Sequence, residues 1–172
     1  MTLAKRIRLC GLAGAALLVG SSTAHAEDLR GTVVRTLVLS ENSRLIGDIT
    51  CQVTGAPCIA FGAPNLVLNL NGFSISGPND PAVGCKGTNV TAETGITSNG
   101  QNNVGVRGPG IVQRVHGDGI LFTQTVKGWV QGVTTTTNCM SGIRIGASAS
   151  SVSLESNVSV RNGTPAAPCG GI

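Results

Sequence analysis

Few residues of this 172-residue chain have the types and spacing to do chemistry. The best-placed group is His116-Gly117-Asp118-Gly119, with Arg144 further along. A histidine two residues from an aspartate has the makings of a polarised acid/base pair, and an arginine beside it would stabilise negative charge. The same residues also fit a plainer reading, in which Gly117-Asp118-Gly119 is a corner turn and His116 a solvated strand end. Apart from Glu27 and Asp28, the other acids, Glu41, Asp48, Asp80, Glu93 and Glu155, are scattered along the chain. Trp129 is the one tryptophan, and there is no tyrosine. Its neighbours Gly128 and Val130 allow it to face outward as a binding anchor or inward as core.

Those side chains must be held by something, and the holding pattern is a repeat. Gly95-Ile96, Gly119-Ile120 and Gly142-Ile143 open three similar segments, with the isoleucines 24 and 23 residues apart. About ten residues on comes an apolar pair: Val104/Val106, then Trp129 or Val130 with Val133, then Val152/Leu154. A further alternating run follows in each: Ile111/Gln113/Val115, Val133/Thr135/Thr137 and Val158/Val160. Self-similarity at this period marks a solenoid whose units bury their apolar faces only by stacking. Three short period-2 runs per unit, divided by Gly, Asn and Ser, predict three strands and three turns per repeat. Stacking residues one period apart sets Asp118 beside Thr94 and Ser141, and Arg144 over Leu121. The asparagines near the corners, Asn71, Asn103, Asn138, Asn157 and Asn162, are expected to be turn and ladder residues.

The first 26 residues stand apart. Lys5, Arg6 and Arg8 precede a short apolar run, and Ala24-His25-Ala26 supplies a small-x-small cleavage pattern. This is the layout of a secretory signal peptide, cleaved after Ala26, in a secreted or periplasmic protein. The apolar run is shorter than the roughly 20 residues of a membrane span. Cleavage leaves nine Lys and Arg against eight Asp and Glu, so the mature chain is nearly neutral. Nothing in that balance calls for nucleic acid or an anionic membrane.

Cysteines in an exported chain are first read as disulfides. Cys51 and Cys58 bracket a short Gly-Pro loop and are placed to close it. Cys139 and Cys169 each sit just before a Gly-Ile start and are placed to meet across neighbouring turns, leaving Cys85 over. With one histidine after Ala26, no metal set is expected.

Taken in order, residues 27–57 read as a leader and N-terminal cap turn, and 58–172 as the repeat domain with an inserted loop at 78–94. The first full turn has strands expected at Ile59–Phe61, Leu66–Leu70 and Phe73–Ile75, with Asn71-Gly72 as a positive-φ turn. Gly170-Gly171-Ile172 looks like the start of another turn, which suggests a fragment of a longer protein or end-to-end self-association through an open C-terminal turn.

The run Leu68-Asn69-Leu70-Asn71-Gly72-Phe73-Ser74-Ile75-Ser76-Gly77, with Gly47-Asp48-Ile49-Thr50-Cys51 before it, resembles the right-handed parallel β-helix repeat of the pectate-lyase-like superfamily. It is most similar to an exported bacterial group of unassigned activity. The resemblance covers about residues 36–172 and implies an all-β, right-handed parallel β-helix of about four to five turns. Asn69 stands where an acid is usual and Phe73 where a histidine is usual. Polysaccharide-cleaving members of this superfamily use clustered carboxylates, with calcium and an arginine base or as paired acids. Two functions are therefore carried forward. In the first, an exported β-solenoid presents an elongated surface to extracellular or cell-envelope polysaccharide, with Trp129 as a binding residue. In the second, the chain is a polysaccharide lyase or glycoside hydrolase working through Asp118, His116 and Arg144. Calcium enters only with a lyase, and no other cofactor is called for.

Overall fold

A computed structural model describes residues 26–82, 84–85, 92–164 and 171–172. The signal-peptide reading of residues 1–25 and the pairing expected of Cys169 lie outside the described residues. Within them the chain is all strand, with no helix. Five strands form one parallel sheet: β2 (Leu37–Leu39), β4 (Ile59–Phe61), β7 (Ile96–Thr97), β9 (Ile120–Phe122) and β11 (Ile143–Ile145). The other eight form a second sheet. Its spine runs β1 (Glu27–Val33), β3 (Ser43–Cys51), β5 (Val67–Asn69), β8 (Gly105–Gln113), β10 (Trp129–Thr136), β12 (Ser153–Glu155). β6 (Ser74–Ser76) pairs with β3 and β8, and β13 (Val158–Val160) with β10. The chain passes from one sheet to the other and back, each pass lying parallel on the last, as in a β-solenoid.

The repeat is the reason. Ile59, Ile96, Ile120 and Ile143 are register partners in successive strands of the smaller sheet, and all four are fully buried. On the larger sheet Leu68, Val106 and Val130 form a matching column, with Ile75 and Val112 beside it. Phe61 and Phe122 are also fully buried between the sheets. Each fully buried Leu, Ile or Phe contributes roughly 1.5–3 kcal/mol, so a column of equivalent positions holds the passes together where no single pass has a core of its own.

Corners are closed by asparagine. Asn138 Oδ1 accepts from Val115 N at 3.2 Å and its Nδ2 donates to Val112 O at 3.1 Å. One pass on, Asn162 Oδ1 accepts from Asn138 N at 3.0 Å, and its Nδ2 donates to Thr135 O at 3.0 Å. Asn157 does the same for Val133 N and Val130 O. Asn71 and Asn103 take positive φ, and Asn71-Gly72 forms the expected turn, with φ of 50° and 87°.

In the leader, Glu27–Val33 is strand β1, paired with β3 and held by Arg44 Nε to Asp28 Oδ1 at 2.7 Å. Two sequence expectations are corrected. The middle passes do not break into two separate strands on the larger sheet. β8 and β10 each run through, with a register shift between Gln131 and Val133 beside Gly132 at φ +67°. The exchange of faces falls in β10, where Val130 and Val133, three residues apart, are both buried. Thr135 therefore points inward, and Val158, which pairs with Thr134 and not with a core residue, is exposed, as is Val160; β8 keeps one alternation, with Val106 and Val112 buried and Ile111 exposed.

Candidate functional site

The corner ahead of β9 gathers the residues expected to do chemistry. Asp118 is locked into the stack by backbone bonds, Gly95 N to Asp118 O at 3.0 Å and Gly119 N to Ser141 O at 2.9 Å. Thr94, Asp118 and Ser141 thus lie one above another, as their spacing predicts. The Asp118 carboxylate is fully buried. Its Oδ1 accepts from Ser141 N at 3.0 Å, and its Oδ2 lies 2.7 Å from Arg144 Nε. The guanidinium approaches off the N–H axis, so the contact is a close ion pair and neither atom has a hydrogen-bond partner. β11 carries Arg144, which pairs with Leu121 in the ladder and reaches across to Asp118. Burial pushes the Asp118 carboxyl above the usual carboxylate range; the Arg144 charge and the Ser141 amide oppose the shift without cancelling it.

His116 has a different partner. Its Nδ1 is 3.0 Å from Glu93 Oε2, and Glu93 Oε1 accepts from Gly55 N at 2.7 Å. Both side chains are largely buried, His116 at 5% and Glu93 at 14% exposure. Glu93 is the residue that reading by motif passes over. It lies 23 residues before His116, one repeat, and Gly117 N bonds Glu93 O at 2.9 Å. The period itself was the signal. The expected His116–Asp118–Arg144 group is therefore two separate pairs, Asp118 with Arg144 and His116 with Glu93. Asp118 has no surface from which to meet a polymer.

Two disulfides brace this side. Cys51–Cys58 closes its loop as expected, with Cα atoms 5.8 Å apart. Cys139 does not await Cys169: it is bonded to Cys85, 54 residues away, with Cα atoms 6.0 Å apart. Cys85, in the insert after Gly77, is thereby placed beside Cys139, a placement that a non-periodic segment does not advertise. Cys85 is therefore not the odd cysteine. Among the described residues no three of His, Cys, Asp or Glu converge as a metal-binding group.

Trp129 lies on the other side of the molecule. In β10, Val130 is buried at 1% while Gln131 is exposed, so Trp129 faces outward. Its indole lies flat across Gly105, its ladder partner on β8, where any β-carbon would collide with the ring. The Arg107 guanidinium carbon sits over the ring, 5.3 Å from its centroid. With Gln131, Ser153 and Glu155 these residues line an open trough of about 300 Å³ that crosses three strands. Gln131 Nε2 donates to Glu155 Oε2 and Ser153 Oγ to Glu155 Oε1, each at 3.2 Å.

Comparison with known families, curated proteins and solved structures found no match.

Proposed function

We propose that the chain is an exported right-handed parallel β-helix, three strands to the turn over about four to five turns, that presents its larger sheet to extracellular or cell-envelope polysaccharide. The observation that carries this reading is Trp129: the sole indole is spread on the outer face of a rigid sheet, over a glycine that makes room for it. A flat aromatic surface is what the apolar face of a sugar ring stacks on, and the polar groups around it supply hydrogen bonds to hydroxyls. The two disulfides, together with the fact that no helix among the described residues is long and apolar enough to cross a membrane, are compatible with work outside the cytoplasm. On this reading Asp118–Arg144 and His116–Glu93 pin the corner instead of cleaving bonds.

The test is retention on immobilised polysaccharides, with product formation followed in the same incubations. The wild-type protein is expected to bind at least one polymer without releasing reducing ends or unsaturated uronates. W129A should bind it about tenfold more weakly, the effect of losing an aromatic contact of about 1–1.5 kcal/mol. Equal binding by W129A would remove the site from the account. Cleavage lost in D118N would make the corner catalytic after all.

A further inference from the structure

The charges of the trough narrow the ligand further, on the reading that Trp129 meets polysaccharide. Arg107, Gln131 and Glu155 are register partners in three successive strands, all on the outer face. Adjacent strands are about 4.8 Å apart, so the row from Arg107 to Glu155 spans about 10 Å, a length that takes two linked pyranose rings. Its two ends differ. Among the described residues Arg107 makes no ion pair or side-chain hydrogen bond, and its guanidinium lies over the indole. Its guanidinium fork is therefore held in place with its donors free, the arrangement that takes a carboxylate in bidentate fashion. At the far end Glu155 is exposed and fixed by Ser153 and Gln131. That carboxylate accepts from sugar hydroxyls and repels a second acid.

We propose that the trough binds a heteropolysaccharide in which an acidic sugar is linked to a neutral one. The carboxylate of the acidic ring pairs with Arg107 above the indole, the apolar part of that ring packs against the portion of Trp129 that the guanidinium does not cover, and the neutral ring gives hydroxyl or amide hydrogens to Glu155 and Gln131. A polymer with a carboxylate on every ring meets Glu155 with like charge. A wholly neutral polymer leaves Arg107 unused.

The experiment is calorimetric titration of the disulfide-intact protein with hyaluronate and unsulfated chondroitin as alternating polymers, polygalacturonate as the fully acidic polymer and dextran as the neutral one. An alternating polymer is expected to bind at least about tenfold more tightly than the other two, the scale of one charge-assisted hydrogen bond. R107Q should bring it down to the level of dextran, and raising the salt should do so in part. E155Q keeps an acceptor but loses the charge, so polygalacturonate should gain about fivefold or more while the alternating polymer changes little. If dextran or polygalacturonate binds the wild type as tightly, or E155Q leaves polygalacturonate unchanged, this inference is overturned and the polysaccharide reading stands. If no polymer binds, the polysaccharide reading falls and this inference with it.

Discussion

Gly105→Ala tests the Trp129 platform without touching Trp129. Gly105 has ordinary strand backbone, so alanine meets no conformational penalty there. A methyl group in that place collides with the six-membered ring of the indole, and a rigid ring cannot bend aside. The indole must leave the sheet. A Trp side chain buries some 150–250 Å² when fully packed. Trp129 is half-buried, so roughly 100 Å² of contact is lost, or about 2.5 kcal/mol at 25 cal/mol per Å². Replacing glycine by alanine within a strand returns about 0.5–1 kcal/mol. The net cost of about 1.5–2 kcal/mol lowers the melting temperature by about 3–8 °C in a chain of this size. Because the protein has one tryptophan, its fluorescence reports this ring alone. G105A should shift emission to the red and raise acrylamide quenching, and polysaccharide affinity should fall as far as in W129A. Unchanged emission with unchanged affinity would refute the packing of the indole on Gly105 and the role given to it.

The corner and the insert make further predictions. Asp118 has a raised pKa in the fold, so the folded state holds its proton at pH values where the unfolded chain has released it. Lowering the pH through that window therefore stabilises this site, and raising it costs stability, the reverse of the usual paired carboxylate. Wild type should gain stability relative to D118N as pH falls from 7 towards 4, in paired thermal melts; a wild type that loses stability relative to D118N over that range would contradict a burial-dominated Asp118. The Cys85–Cys139 bond closes a 54-residue loop, and a double Cys85→Ser, Cys139→Ser variant should lose up to about 4 kcal/mol by chain entropy. The Cys51–Cys58 loop is worth about 2 kcal/mol on the same reasoning. Urea unfolding of the two double variants under non-reducing conditions checks the order.

The periodic part of this molecule could be read from its sequence, and the aperiodic part could not. Ile96, Ile120 and Ile143 announce their column because stacking demands the same residue type at the same place in each pass. The Asp118–Ser141 neighbourhood and the ladder asparagines follow from the same spacing. Val158 and Val160 misled because side chains alternate along a strand, and one shifted residue near Gly132 reverses inside and outside without changing composition. Cys85 misled because the insert has no period to align. His116 found Glu93 instead of Asp118 because neighbours along a corner need not face each other, whereas residues one repeat apart are stacked on one another and meet at about the spacing of adjacent strands. The direction of Trp129 turned on Gly105, whose missing side chain became informative only once the two strands were paired.

The most direct test of the central claim is a fluorescence titration of the intact protein with the alternating acidic polysaccharides. The account predicts a saturable change in Trp129 emission that is abolished in R107Q. Binding detected by calorimetry with no change in Trp129 emission would place the ligand elsewhere on the molecule and contradict it.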